Sequence, residues 1–301
     1  MIAAALLALL LTVPLVEVEP ARAAPGDAVL VTVQDELEPR GAMLQRTLHF
    51  YPAGPGRWQA LAPLPLEAAA GPTPVAVVGA PPATLEIGPA RFRSTTLTVP
   101  PHTLDPPTSA KARLAADAAA LNKAYSQPFG APLFSGGHGW PRRAETTGGF
   151  GDRRLYNGKT SGVHYGLDLN GRNGDPIVAS ADGTVVLARD CYLSGGTTVV
   201  WHGAGLYTVY LHQSRMEVRA GEQVVRGQRL GQVGSTGRST GPHLHWGAKV
   251  DGLWINPESL LRLEHLAGPA APEAAATPVP APGADPATGP APSAAPASPS
   301  P

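Results

Sequence analysis

The stretch Val-His-Tyr-Gly-Leu-Asp-Leu at residues 163–169 alternates apolar residues with polar or small ones along its whole length. Successive side chains of a β-strand point to opposite faces, so His164, Gly166 and Asp168 share one face and the apolar residues share the other. A helix would also align His164 with Asp168, but it would scatter the apolar residues around its surface. The alternation therefore predicts a strand that presents an imidazole and a carboxylate together, with room for an ion at Gly166.

Two further segments place histidines on predicted strands. Gly-Pro-His-Leu-His-Trp at residues 241–246 carries His243 and His245 two positions apart, and His212 ends the strand predicted over residues 207–211. Nitrogen and oxygen donors with an open position are typical of catalytic zinc sites, whereas structural zinc sites usually use cysteine. Each motif alone is common in proteins without a metal, but their joint occurrence in one β-rich region indicates a metal centre.

The alternating pattern extends through the whole C-terminal half of the chain. Predicted strands cover residues 163–169, 177–180, 184–188, 197–202, 207–211 and 241–250. Glycine-centred turns separate these strands, and no long amphipathic helix interrupts them. We therefore expect an antiparallel β-sheet or open barrel over residues 145–263.

The N-terminal half carries short apolar runs punctuated by proline and glycine. Predicted strands include residues 28–33, 48–51, 74–78 and 95–99. This spacing predicts a β-sandwich-like module over residues 25–104 that positions the chain or contacts a partner. A connecting helix is expected over residues 108–125, capped by Thr108 or Ser109, within a linking segment at 105–144. The fold class is therefore mainly β.

Both ends of the chain differ from the middle. Residues 2–16 are nearly all apolar but too few for a membrane span, which needs about 20, so a signal peptide is expected over residues 1–24. Cleavage after Ala23 or Ala24 would release the protein into the periplasm; an uncleaved anchor in the inner membrane, facing the periplasm, is the alternative. The Ala- and Pro-rich residues 264–301 predict a disordered tail.

Charge and the remaining reactive residues exclude several functions. The chain has 23 basic and 23 acidic residues without a basic block, so no nucleic-acid partner is expected. Cys191 is the one cysteine and is assigned no role. His202 is expected to form hydrogen bonds at a turn. The histidines without an assigned role are His49, His102, His138 and His265.

Several motifs occur in an order that resembles the lysostaphin/LytM family of zinc endopeptidases. They lie at residues 150–154 (Phe-Gly-Asp-Arg-Arg), 164–169, 174–179, 210–212 and 234–245. The resemblance covers about residues 145–260. Residues 27–100 more loosely resemble the immunoglobulin-like module that precedes this domain in some members.

The resemblance implies both a metal site and a reaction. The zinc ligands would be His164, Asp168 and His245, and the catalytic pair beside one Zn²⁺ per chain would be His212 and His243. The expected activity is hydrolysis of the peptide stems or cross-links of bacterial peptidoglycan, most of all D-Ala cross-links. Peptidoglycan peptides are the expected partner, with contacts to other cell-wall machinery; the oligomeric state stays open.

A wall-binding protein without activity is the alternative. Such a protein would activate other wall hydrolases and would have no activity of its own. It would be inactive either because it is catalytically silent or because residues 126–150 plug its groove. Missing ligands would indicate this alternative, and all five expected residues are present.

Overall fold

Strands dominate the computed structural model, which describes residues 13–158 and 160–266 of the chain, and the predicted mainly β fold is confirmed. The N-terminal strands are β1 Leu15–Glu19, β2 Arg22–Ala23, β3 Ala28–Gln34, β4 Gly41–Met43, β5 Arg46–Leu48, β6 Tyr51–Gly54, β7 Arg57–Pro63, β8 Gly71–Val77, β9 Ala83–Ile87 and β10 Ser94–Leu97. One α-helix of the described residues, α1, spans Lys111–Ala124.

The described residues of the C-terminal half form thirteen further strands. They are β11 Thr146–Gly148, β12 Arg153–Tyr156, β13 Thr160–Val163, β14 Leu167–Asn170, β15 Pro176–Val178, β16 Gly183–Cys191, β17 Gly195–Trp201, β18 Leu206–Gln213, β19 Arg215–Met216, β20 Gln223–Val224, β21 Arg229–Gln232, β22 His243–Val250 and β23 Leu253–Ile255. Short 3₁₀ segments lie at Pro101–Thr103, Thr108–Ala110 and Pro257–Arg262.

The N-terminal module consists of two sheets that enclose one apolar core. The sheet orders are β1-β3-β7-β6 and β2-β9-β8-β4-β5. Val29 and Val31 of β3 pack in the same buried cluster as Val75 of β8 and Leu85 of β9. The alternation of these strands therefore buries one face of each sheet against the other.

The module begins before the boundary expected at residue 25. Strand β1 pairs antiparallel with β3, and its Val16 and Val18 pack against the module's core. Strand β2 pairs with β9 at the edge of the second sheet. Cleavage after Ala23 or Ala24 would remove an edge strand from each sheet. The signal peptide over residues 1–24 stays a prediction, and residues 1–12 of it lie outside the described residues.

The connecting helix forms as predicted, but it begins and packs differently. Residue 110 caps α1 without a side-chain hydrogen bond, so the expected cap by Thr108 or Ser109 is wrong. The helix is held by the buried carboxylate of Asp117, which accepts hydrogen bonds from Arg189 Nε at 2.7 Å and from the Tyr192 backbone N–H at 2.8 Å. A partly buried ion pair therefore joins the helix to β16, and a backbone hydrogen bond joins it to the residue that follows β16.

An eight-stranded sheet forms the centre of the C-terminal half. Its path is β11-β14-β22-β18-β17-β16-β20, with β23 added to β22, and every pair in it is antiparallel. Strand β22 lies between β14 and β18, so His245 is the Cα partner of Asp168 on one side and of Leu211 on the other. This register brings three distant segments to one point.

The stretch at 163–169 is not a single strand, contrary to the prediction. Strand β13 ends at Val163 and β14 begins at Leu167, and the two belong to different sheets. A Cβ atom at Gly166 would lie 2.5 Å from His245 Nε2. The glycine therefore admits the His245 ring rather than leaving space for an ion directly above it.

Strand β10 lies before the expected domain boundary at residue 104, but it pairs with a strand that lies beyond this boundary. It pairs in parallel with β12, in a sheet completed by β13, and not with any strand of the N-terminal sandwich.

Residues 126–150 also differ from a free linker, because Leu133 donates to His202 O and Gly139 to Ser180 O through their backbone N–H groups. In the described residues no helix is both long and apolar enough to cross a bilayer.

The tail expected to be disordered lies mostly outside the described residues. The structure describes its first three residues, 264–266, and among them Leu266 is buried with Ile255 and Leu260. Disorder therefore stays a prediction for residues 267–301.

Candidate metal centre

Three side chains from β14, β22 and the turn before β14 converge at the bottom of a cleft. His164 Nε2 lies 2.9 Å from Asp168 Oδ1 and 2.9 Å from His245 Nδ1, and His245 Nδ1 lies 3.0 Å from Asp168 Oδ1. His164 and Asp168 are buried, and His245 is partly exposed. The structure thus brings together the three residues expected to bind the metal.

Backbone and side-chain partners orient two of these groups. The carbonyl oxygen of Gly149 can only accept, so His164 Nδ1, 2.7 Å away, carries the proton and Nε2 keeps its lone pair. Arg154 Nη2 donates to Asp168 Oδ2 at 2.6 Å, which leaves Oδ1 to face the two imidazoles. A Cβ at Gly148 would lie within 2.7 Å of both Arg154 Nη2 and Asp168 Oδ2, so this contact requires glycine.

The donor set fits a zinc ion. Two imidazole nitrogens and one carboxylate oxygen meet within 4.8 Å of one another, and a single cation can satisfy all three lone pairs. The cleft above them leaves a direction from which a fourth ligand can approach, as in catalytic rather than structural zinc sites. Among residues 13–158 and 160–266 this is the one cluster of three such side chains.

Two further histidines lie beside this cluster. The His212 ring is 4.9 Å from that of His243 and 6.1 Å from that of His245, measured between centroids. His212 Nδ1 donates to Thr236 O at 2.8 Å, and His243 Nδ1 donates to Gly241 O at 2.8 Å. Both rings therefore have Nε2 as the nitrogen with a free lone pair.

The backbone at His212 is in the left-handed region, with φ of +63°. Few residues other than glycine adopt this conformation, which costs about 1–3 kcal/mol and occurs often at functional sites. The His212 N–H donates to Ser194 O at 3.0 Å, which helps to hold the chain there. Alternation along β18 did not predict this backbone conformation of His212, because the conformation depends on contact with residues 192–196.

Burial and mutual contact determine the protonation of the site. Burial lowers the pKa of His212 to about 3, with His243 and His245 adding to the effect, so this ring is neutral at pH 7. Burial also lowers the pKa of His245. For Asp168, burial alone would raise the pKa, but contact with the imidazoles of His164 and His245 holds it well below its usual value.

The cleft has a volume of about 490 Å³ and is open along one side. Its walls come from β10, β12, the 193–194 turn and the 238–243 loop, and the stacked rings of Tyr165 and Trp254 also line it. Of the 126–150 segment only Thr147 and Gly148 line it. That segment does not plug the cleft.

The remaining histidines lie elsewhere. His202 is fully buried at the end of β17 and contacts Asp182 O and Thr208 Oγ1, both at 2.7 Å. His138 is buried beside it, with ring centroids 5.5 Å apart. Cys191 is buried, and burial raises the pKa of its thiol. None of these three residues lines the cleft.

Sequence reasoning gave no role to the groups that orient the site. Arg154 was part of a quoted motif, but nothing local indicates that it pairs with Asp168 fourteen residues later. The carbonyl groups of Gly149, Thr236 and Gly241 carry no side-chain signal at all. The glycine at position 148 is the one clue, because it permits close approach.

Known proteins match the region that holds this centre. Residues 162–257 match the family model described as Peptidase family M23. Peptidoglycan DD-endopeptidase ShyA of Vibrio cholerae serotype O1 is 43% identical over 108 residues, which are 36% of this chain and 25% of ShyA. A Haemophilus influenzae protein described as an uncharacterized metalloprotease is 41% identical over 97 residues, 31% of this chain and 20% of that protein.

A solved structure matches a larger part of the fold. It is the crystal structure of a Pseudomonas aeruginosa protein described as a peptidase M23, with 28% sequence identity to this chain and a TM-score of 0.58. The match covers 79% of this chain and 95% of that one. The likeness therefore extends beyond the metal centre, whereas this chain matches only about a quarter of ShyA's length.

Proposed function

Residues 162–257 are a peptidase family M23 domain, and on this premise we propose that the protein is a zinc-dependent endopeptidase of bacterial peptidoglycan. The observation that carries the proposal is the convergence of His164, Asp168 and His245 in an open cleft beside two more imidazoles. One Zn²⁺ per chain would be held by His164 Nε2, Asp168 Oδ1 and His245 Nδ1.

The bound ion would supply Lewis acidity to a water molecule and to the oxygen of the scissile carbonyl. His212 and His243 would act as proton acceptor and donor, since each has Nδ1 bonded to a backbone carbonyl and Nε2 with a free lone pair. His243 Nε2 lies 3.6 Å from Asp168 Oδ1, so this ring is next to the ligand cluster. The pair would accept the proton of the attacking water and return one to the leaving amine.

The substrate would be a peptide cross-link that contains D-Ala. An open cleft walled by a strand and by glycine-rich loops admits an extended peptide with small side chains. The relative ShyA is described as a peptidoglycan DD-endopeptidase, which supports the same bond here. Because peptidoglycan lies outside the cytoplasmic membrane, we also propose that the protein is exported to the periplasm.

The silent or autoinhibited activator is not favoured by the site. All three metal-binding side chains are in contact, and the second pair of histidines is complete. Residues 126–150 leave the cleft open, so no internal segment of the described chain acts as a plug. Contacts with other cell-wall machinery remain part of the proposal for the N-terminal module.

The direct test combines metal analysis with hydrolysis of purified sacculi. The protein, purified without chelator, should contain close to one zinc per chain and release fragments whose masses correspond to cleaved cross-links. Removal of zinc should abolish release, and added zinc should restore it. Full occupancy by zinc without any cleavage of sacculi or of cross-linked muropeptides would contradict the enzymatic proposal and favour the binding protein.

A further inference from the structure

Arg238 lines the cleft and has no acidic partner in the part of the chain that the structure describes. Its guanidinium carbon is 5.0 Å from the centroid of the Tyr156 ring, and both side chains line the cleft. No carboxylate of the described residues comes within 4.0 Å of its side-chain nitrogens. A cation over an aromatic face is held in place while its N–H groups stay available to a ligand.

The other charges of the cleft neutralise one another. Its two acidic side chains are Asp152 and Asp168. Asp152 accepts from Arg93 Nη2 at 2.8 Å, and Asp168 accepts from Arg154 Nη2 at 2.6 Å. Arg238 is therefore the uncompensated charge of the cleft walls, and a bound zinc ion would add to the positive potential.

The backbone around Arg238 is fixed by close contacts with a neighbouring loop. The Arg238 N–H donates to Leu193 O at 2.7 Å, and Thr236 Oγ1 accepts from the Gly196 N–H at 2.9 Å. A Cβ at Gly237 would lie 2.4 Å from Gly195 N, so the two loops meet backbone to backbone. The cation is thus presented from a rigid base, which reduces the entropy lost on binding.

Strand β12 sets the position of the Arg238 guanidinium along the cleft. Arg154 and Tyr156 are two residues apart on this strand and both line the cleft, so they share a face. The strand advances about 7 Å between them. Arg154 holds Asp168, and Tyr156 contacts the Arg238 guanidinium, so the cation is held two strand residues along the cleft from the group that orients the metal ligand.

We propose that Arg238, seated on Tyr156, binds a carboxylate of the substrate next to the scissile bond. This inference rests on the proposed function and narrows its substrate class. In a cross-link to a diamino dicarboxylic acid, the carbon attached to the leaving nitrogen bears a free carboxylate. A glycine bridge or a cross-link to lysine has no carboxylate there. The cleft is thus selective for the dicarboxylic cross-link.

The test uses three cross-linked peptides that differ only in charge. One carries the carboxylate beside the leaving nitrogen, the second has that group as a carboxamide, and the third has only the stem glutamate amidated. We expect zinc-loaded wild-type protein to cleave the first and third with about 10- to 100-fold higher kcat/KM than the second, the range for a hydrogen bond to a charged group.

Two variants at position 238 and one control variant test whether the charge of Arg238, rather than the conformation of its loop, gives the preference. Arg238→Gln should cleave all three peptides at the rate of the carboxamide, and Arg238→Lys should recover part of the preference. Arg153→Gln is the matched control, because Arg153 is exposed on β12 and does not line the cleft. Zinc content should stay unchanged in all three variants, since the Arg238 backbone contact survives.

Each outcome decides the inference. A wild-type protein without preference, or an Arg238→Gln protein that keeps it, overturns the carboxylate site. Sensitivity to amidation of the stem glutamate instead overturns its placement beside the leaving nitrogen. If no peptide is cleaved, the proposed function fails. Calorimetric binding of the amine-bearing fragment, with and without its carboxylate, to wild type and Arg238→Gln then still tests Arg238.

Discussion

Two groups of histidines in this protein use the imidazole ring in opposite ways. In the cleft, His164, His212 and His243 each give Nδ1 to a backbone carbonyl and keep Nε2 free. In the interior, His202 uses both nitrogens within the fold, and neither nitrogen of His138 has a partner among the described residues. His164 and His212 are buried, as are both interior histidines, so burial alone does not mark a functional histidine.

The difference lies in what the free nitrogens face. The cleft rings surround Asp168, whose Oδ1 lies 3.6 Å or less from nitrogens of His164, His243 and His245. The interior pair packs against Phe134, and no carboxylate contacts it in the described part of the chain. Anchored rings that converge on a carboxylate can bind a cation, whereas rings enclosed by the core contribute only to stability.

The largest expected effect is loss of the metal from a cleft variant. His245→Ala should reduce zinc affinity by more than about 100-fold and bring hydrolysis of sacculi to background, since loss of an orienting group alone costs about 10- to 100-fold. Exposed His102, changed to Ala, is the control and should leave both unchanged. Zinc retained by His245→Ala at wild-type affinity would remove the basis of the metal assignment.

Next in size is an effect on turnover without loss of metal. His243→Ala should keep zinc but lower kcat by about 10²- to 10⁴-fold, the range for loss of a positioned acid or base. Zinc analysis and kinetics on the same sample check both parts. A His243→Ala enzyme with full activity would exclude His243 from proton transfer.

A third effect belongs to the interior pair and concerns stability. Burial lowers the pKa of His202 from 6.5 to about 4, and that of His138 well below its usual value. The neutral ring therefore stabilises the fold above pH 6.5, and this contribution, on the order of 3 kcal/mol for His202, is lost as pH falls from 6.5 to 4.

Urea denaturation at pH 7 and at pH 4.5 measures this loss. From pH 7 to pH 4.5 the wild-type protein should lose more of its free energy of unfolding than the His202→Gln variant, because glutamine does not titrate in this pH range. Contributions from the cleft histidines cancel in the difference between the two proteins. Equal losses in both would show that the interior ring is not held neutral.

The smallest expected effect comes from the group that orients Asp168. Arg154→Gln should lower zinc affinity by about 10- to 100-fold while the fold persists, because Oδ1 is then no longer kept facing the imidazoles. Arg153→Gln, the exposed neighbour on the same strand, serves as control. Competition with a chromogenic chelator measures both affinities, and equal values would show that Arg154 does not support the metal site.

Much of the fold followed from local patterns. Alternation predicted β16, β17, β18 and β22 to within a few residues, because each buries at least one face. It failed at 163–169, where two strands of different sheets adjoin, since alternation continues through the turn. It also assigned β10 to the wrong neighbours, because a strand's partner is not a property of its own residues.

The amino-acid sequence by itself determined which donors are available and on which face of a strand they lie, because side-chain direction follows from the backbone period. Only the tertiary structure decided that Asp168 lies opposite His245, that Arg154 turns Oδ1 toward the imidazoles, and that Arg238 has no acidic partner among the described residues. These are distances between residues far apart in the chain. They are set by strand register and core packing, which no local pattern encodes.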